Sequence, residues 1–448
     1  MFFHFKHSGW LMLLGTLAVS SATAVDLKTA YQAAILYDAE LLAAKASMEE
    51  YEEGVPAARA ALLPQLGYST QRNKAETTTE YLRTRRPDSE SGRYDSRSSS
   101  LTFRQALFRK PAWDALQGAK AQAEAAKDNY QFEMQHAGLR VAAAYLEVLS
   151  AREGVSLARN QLRAMEAWLG LAERYFKAGR GTRVDVEDAR SRRDMAKAKE
   201  TEANQFLLTA SRNFEVVSGI RAEKIEETNP RALNPELMRV KEKDQWLQRI
   251  EDNSPEIQSL RNQLLAAAAN VRQAWGGHLP TVDLVAARQF SESDTVNSIG
   301  SASTTDYVGI QVNVPLISGG GVIAQTRQAQ AREERVRQTL ESARRKTIAE
   351  GSRLYSAVEQ GIEQVQALNQ AIASAQEAVQ GEKKAVMAGT RTFVDALDAE
   401  RRLFESMREQ ALSVYSLANN RLKFLALAGV VDVDTVEEVS IWLASAKL

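Results

Sequence analysis

The 448-residue chain carries 57 Lys and Arg against 57 Asp and Glu, a formal charge of zero, which argues against a nucleic-acid partner held by a basic field. It contains no cysteine, so disulfides, thiolate zinc sites, cysteine catalysis and a lipid anchor on an N-terminal Cys are all excluded.

Residues 1–24 read as an export signal. Lys6 and His7 precede an apolar run from Trp10 to Val19, and Ala22-Thr23-Ala24 is a small-residue cleavage site. The mature chain is expected to begin near Val25. No later stretch reaches the roughly 18 apolar residues of a membrane-spanning helix.

A first structural repeat is expected over 25–235. Asp26 to Leu63 has helical composition with Asp26 as its cap, and Leu63-Pro64 stops it. Gln65 to Gln71 alternates, with Leu66, Tyr68 and Thr70 on one side, and Leu101 to Phe108 returns as a second strand. The polar stretch between, Asn73 to Ser99, reads as an exposed loop inside a hairpin spanning 65–108. A long helix over 111–177 opens with Pro111 near its first position, and would run about 100 Å at about 1.5 Å per residue. A tip at 178–182, a helix over 183–217 and a linker follow.

A second repeat is expected over 236–448 with the same layout. Asn253-Ser254-Pro255 stands 216 residues after Tyr37-Asp38-Ala39, and Leu279-Pro280 stands 216 after Leu63-Pro64. The second hairpin is placed at 281–317, with Gln289 to Thr305 as its polar loop and Tyr307 to Val314 as its clearest strand. A long helix over 319–387, a tip at 388–392, a helix over 393–429 and a C-terminal segment complete the copy. Repetition at this scale is the mark of a duplicated unit.

The two tips are the most informative stretches. Ala388, Gly389, Thr392, Val394, Asp395, Asp398 and Ala399 each match the residue 210 positions earlier: Ala178, Gly179, Thr182, Val184, Asp185, Asp188 and Ala189. Glycine after Ala suits a helix C-terminus, and Thr-x-x-Asp suits the next helix N-terminus. Each tip therefore joins two long antiparallel helices.

The strand pairs point to a membrane. A lone hairpin is marginal in water, whereas alternating strands suit an outer-membrane barrel wall. Lipid tolerates no open sheet edge, so four strands cannot span alone. Three chains would close twelve strands; two would close eight, which leaves little channel. The fold class expected is a mixed α and β membrane protein, trimeric, with a 12-stranded β-barrel above an antiparallel α-helical barrel and an internal two-fold sequence repeat. The mean hydropathy of −0.35 excludes membrane-spanning helices.

With these residues in view, the chain resembles the TolC or outer-membrane-factor family of channel-tunnels. The resemblance is carried by Leu63-Pro64-Gln65-Leu66, Gln105-Ala106-Leu107-Phe108, Pro315-Leu316-Ile317-Ser318-Gly319-Gly320 and Gly389-Thr390-Arg391-Thr392 with Val394 to Ala399. It covers essentially the whole mature chain. It implies a homotrimer in the outer membrane of a Gram-negative bacterium with a long periplasmic extension, docking a periplasmic adaptor and an inner-membrane ABC or other pump. It further implies that Asp395 and Asp398 form acidic rings at a periplasmic constriction and that Arg391 pairs with Asp185 of a neighbouring helix. The tip residues Ala178, Gly179, Arg180, Ala388, Gly389 and Thr390 would meet the adaptor. A family tyrosine three positions before the tip glycine is Val386 here, which puts one closing hydrogen bond in doubt.

Asp395 and Asp398, three apart, share a helix face. Three-fold symmetry would crowd six carboxylates, raise their pKa values and favour cations, including a polyvalent cation that blocks the pore. Asp395 equally completes a capping box with Thr392, as Asp185 does with Thr182, and Arg391 and Asp185 read equally as exposed charges worth under about 1 kcal/mol. The four histidines, His4, His7, His136 and His278, form no metal cluster, and Gly319-Gly320-Gly321 lacks the Lys-Ser/Thr of a phosphate loop. No catalytic constellation and no cofactor is expected. The function expected is the outer-membrane exit duct of a type I protein secretion system, which the resemblance implies is opened by an iris-like movement of the periplasmic helices on docking adaptor and pump. The outer-membrane channel of a multidrug efflux pump is the alternative, and a periplasmic helical adaptor or scaffold without a barrel the remote one.

Overall fold

The computed structural model describes residues 25–80, 89–295 and 298–445. The expected export signal and the tips of both hairpins lie outside them. The order helix, helix, strand, strand, long helix, helix occurs twice: α1 Leu27–Tyr37, α2 Ala39–Ala60, β1 Gln65–Glu80, β2 Ser89–Phe108, α3 Lys110–Lys177 and α4 Arg183–Ser218, then α5 Lys243–Asn253, α6 Pro255–Trp275, β3 Thr281–Thr295, β4 Ser298–Asn313, α7 Gly321–Met387 and α8 Phe393–Leu427. A last helix, α9 Val433–Ala444, occupies the C-terminal segment.

The single first helix expected from Asp26 to Leu63 is two helices. Asp38 leaves the helical region and its Oδ1 accepts the N–H groups of Glu40 (2.9 Å) and Leu41 (3.2 Å), starting α2 afresh. Its other oxygen takes the Arg140 guanidinium at 2.6 Å, anchoring the corner to α3. Ser254 makes the corresponding break between α5 and α6, with Pro255 at the first helical position.

Four antiparallel strands form one sheet in the order β1-β2-β3-β4. The polar stretches 73–99 and 289–305, expected as loops, are largely strand; among the described residues both hairpins continue to Glu80 and Ser89 and to Thr295 and Ser298. The apolar alternation stops where one face no longer meets an apolar medium, but the backbone ladder continues without it. The second hairpin ends at Asn313 rather than 317, and Gly319 and Gly320, at φ +56 and +78, turn the chain into α7.

Register assigns the faces. Leu66 and Tyr68 stand opposite Phe103 and Leu101, and Val282, Leu284 and Ala286 opposite Val312, Ile310 and Val308. This face is apolar and open: Leu66 is 70% exposed and Val308 77%. From Val282 to Phe290 it extends about 26 Å at about 3.3 Å per residue, crossed in the row of Tyr68 and Leu101 by one ion pair, Arg288–Asp306 at 3.6 Å, and this height matches an outer-membrane apolar band. The other face carries Gln65, Gly67, Ser69, Ser98, Ser100 and Gln311. At its foot Asp283, nearly buried, receives Arg109 at 2.9 and 2.7 Å, with Arg104 at 3.6 Å, tying sheet to α3.

The main core sits midway along the rods, where α1, α3, α4, α8, α9 and short 3-10 turns at Ala222–Lys224, Pro230–Ala232 and Pro235–Met238 enclose Leu27, Phe214, Phe424 and Val436. Each such side chain contributes about 1.5–3 kcal/mol by leaving water. Buried Gln135 bonds Val431 twice, accepting its N–H at 2.8 Å and donating to its carbonyl at 3.2 Å. Gly138 admits the Tyr31 ring, since a Cβ there would lie 2.7 Å from Tyr31 Cε2. The first and last helices, α1 and α9, meet through Lys28–Glu437 at 2.7 Å and the Ser440 hydroxyl on Asp26 at 3.3 Å. Among the described residues no helix is long and apolar enough to cross a membrane.

Candidate functional site

Both tips fold as their residue types dictate. Gly179 and Gly389 adopt φ +70 and +76, the left-handed region that glycine occupies without strain. Arg180 and Thr390 donate their N–H groups back to Tyr175 and Ala385 carbonyls at 2.9 and 3.0 Å. Ala178, Gly179, Arg180, Ala388, Gly389 and Thr390 are all exposed.

Each second helix then opens on a complete capping box. Thr182 Oγ1 accepts the Asp185 N–H at 3.2 Å, while Asp185 Oδ2 accepts the Thr182 N–H at 2.8 Å. Thr392 and Asp395 repeat this at 3.2 and 3.1 Å. Asp185 and Asp395 are thus held in caps. The Thr392 hydroxyl, with its backbone N–H, holds the Asp395 carboxyl below the usual carboxylate value.

Asp398 lies deeper and has other partners. Arg192 of α4 donates to its Oδ1 at 2.8 Å, with Arg401 at 3.8 Å, and Arg192 also holds Asp188 at 3.0 Å. The Arg192 hydrogen bond, outweighing slight burial, lowers the Asp398 pKa. Within one chain, then, neither acid shows the raised value expected from crowding, because each already has a donor. Arg391 does not reach Asp185 within the chain; its nearest carboxylate is Glu382, at 3.9 Å. Among the described residues no group of three or more His, Asp or Glu could hold a metal ion within the chain.

A small core fixes the α8 start. Phe393 sits edge-on to Trp168 (5.9 Å) and Tyr175 (5.4 Å) of α3, with Met165, Val186, Val386 and Leu397 around it. Val386, the position at which the resemblance implied a tyrosine, is buried in this cluster. Glu400, pushed up by burial, accepts a hydrogen bond from Trp168.

Arg192 and the Trp168–Phe393–Tyr175 cluster were not singled out from sequence. A signal for Arg192 exists: Asp188 and Asp398 are equivalent in the two copies, and Arg192 and Arg402 each follow one turn later. The aromatic cluster joins α3 to α8 across some 220 residues of chain, which spacing alone does not reveal.

A single-layer sheet with an open apolar face, borne on two long hairpins with capped tips, defines a class: β-anchored channel subunits with helical extensions. The chain belongs to the outer membrane efflux protein family, whose model matches residues 30–219 and 246–430, and it is an outer-membrane protein of the secretion and efflux channel group. It is 31% identical to alkaline protease secretion protein AprF of Pseudomonas aeruginosa, covering 94% of this chain and 87% of that one. It is 28% identical to proteases secretion protein PrtF of Dickeya chrysanthemi, covering 98% and 95%. The crystal structure of outer membrane protein VceC from Vibrio cholerae shares the fold, with TM-score 0.73, 18% identity and coverage of 89% and 96%.

Proposed function

We propose that three copies of this chain close a 12-stranded barrel in the outer membrane and an α-helical tunnel beneath it, forming the exit duct of a type I protein secretion system. The observation that carries this reading is the sheet itself. Strands β1 and β4 are its two edges, one face is apolar over a membrane's height apart from the self-neutralising Arg288–Asp306 pair, and neither edge is tolerated in lipid without a partner strand. The relatives AprF and PrtF, named for protease secretion, favour protein export. The family's description as efflux proteins favours drug export as the second reading.

The structural repeats 25–235 and 236–448 each supply one hairpin to the wall and one pair of rods to the tunnel. The exposed tips at 178–180 and 388–390 meet a periplasmic adaptor, which couples the duct to an inner-membrane pump. Closure rests on α8 being held against α3 and α4 by Phe393 and by Arg192–Asp398. Arg391 and Asp185 of neighbouring subunits add links, and Asp395 and Asp398 line the constriction, where they attract a blocking cation. Docking swings the α7–α8 pair outward like an iris. Deleting the gene and scoring secreted protease against drug sensitivity separates the two readings. Migration as a monomer in detergent, without heat-dissociable trimers, would refute the duct.

A further inference from the structure

Directly above the apolar band, the same face of the sheet becomes densely charged, with Arg72, Lys74, Arg93 and Arg97 against Glu76, Asp95 and Glu292. Arg72 and Arg97 are cross-strand partners, on the face of Tyr68 and Leu101 and one row beyond Phe290. Like charges directly opposite each other destabilise a strand pair unless an anion lies between them. Arg72 finds Asp95 only at 3.4 Å, with both side chains more than half exposed. Arg97 and Lys74 form no ion pair among the described residues, although Glu292 stands in register beside Arg97. These side chains, with Arg93 and Tyr94, line a groove of about 1320 Å³ whose acidic members are Glu76, Asp95 and Glu292. Arg93 and Glu76 offset each other at 3.3 Å.

We propose that this groove is a binding site for the phosphorylated headgroup of an outer-leaflet lipid, with Arg72 and Arg97 sharing one phosphate and Lys74 reaching its free edge. The height fits: acyl chains lie along Leu66, Tyr68, Leu101 and Val308, and the headgroup meets Arg72 and Arg97 two rows above Arg288, whose charge Asp306 already offsets at 3.6 Å. The chemistry fits as well, since two guanidinium forks present paired N–H donors to phosphate oxygens. The acidic neighbours disfavour a bare multivalent anion and leave room for one phosphate per groove. A bound phosphate also removes the Arg72–Arg97 repulsion, so lipid would stiffen the hairpin where it leaves the bilayer. The site needs only the outer-membrane orientation of the apolar face and is independent of how the tips gate.

The test is native mass spectrometry of the full chain released from micelles containing bisphosphorylated lipid A, its dephosphorylated form, or inorganic phosphate alone. The bisphosphorylated lipid should stay bound, with occupancy falling about tenfold in the R72S/R97S double variant, the loss of two charge-assisted contacts. Raising the salt should weaken it further. Equal retention by the double variant, or by the dephosphorylated lipid, would overturn the site in favour of acyl contact alone. Occupancy by inorganic phosphate at the same concentration would overturn the lipid assignment. If the double variant does not insert, Arg97→Gln, which breaks no ion pair, carries the same comparison. Planar-bilayer conductance of each variant is read in parallel: a conducting channel that has lost lipid retention speaks only to this site, and a chain that never conducts speaks to the duct.

Discussion

Removing Arg192 tests the closed state most directly. Its guanidinium bridges Asp398 of α8 and Asp188 of α4, so Arg192→Gln unties the second rod pair from the first and leaves Asp398 without its main donor. Both partners are partly exposed, with side-chain exposures of 27% and 36%, so each bridge is worth only about 0.5–1 kcal/mol after solvent screening. An iris that opens as a unit breaks three at once, about 1.5–3 kcal/mol in all. At about 1.4 kcal/mol per factor of ten, the open-to-closed ratio should rise roughly 10- to 100-fold. Single-channel recording in planar bilayers reads this as more frequent or larger openings. Asp398→Asn should have a similar effect on opening, and the double substitution should add little, because one interaction is being removed. The two single variants should diverge in block by a trivalent cation: tighter in Arg192→Gln, weaker in Asp398→Asn. Unchanged conductance in Arg192→Gln, or fully additive effects, would refute the latch.

The remaining predictions concern the same tips and the core. Arg391→Ser combined with Asp398→Asn should raise conductance above Asp398→Asn alone; equality would remove Arg391 from the gate. Phe393→Ala should cost the tip core about 3–5 kcal/mol, seen as faster hydrogen exchange at the start of α8 with the mid-rod amides unchanged. Because Arg192 holds the folded Asp398 pKa below its ordinary value of 3.8, its stabilisation is complete above about pH 4 and lost as pH falls through the folded value. Conductance should therefore increase in strong acid, and that part of the response should vanish in Asp398→Asn. Gly138→Ala places a methyl against Tyr31 and should lower stability by about 1–3 kcal/mol, measured as a lower Tm with tip conductance unaffected.

Much of the architecture was legible because periodicity and punctuation are local. Pro111, the Gly179 and Gly389 turns and the Thr-x-x-Asp boxes placed the long helices to within a residue or two of Lys110–Lys177 and Gly321–Met387. The strand ends were not legible. Beyond Tyr68 and Leu101 the apolar alternation lapses on both faces, Phe290 apart, so ladder and loop have the same composition, and only pairing distinguishes them. The Asp38 break was hidden because an aspartate inside an Ala-rich run reads as a surface charge until Arg140, 102 residues away, is seen to hold it. At the tips the sequence located the carboxylates but not their donors. Capping is a three-residue affair and could be read, whereas Arg192–Asp398 depends on how one rod pair leans on another.

The meeting of α1 with α9 has a practical corollary for engineering. The first and last helices of the described residues lie side by side at the waist of the molecule, away from both the sheet and the tips. A short linker joining the start of α1 to the end of α9, with a new opening cut elsewhere, would give a rearranged chain whose waist is intact. A fluorophore or affinity handle attached there would report on traffic through the pore without obstructing either mouth.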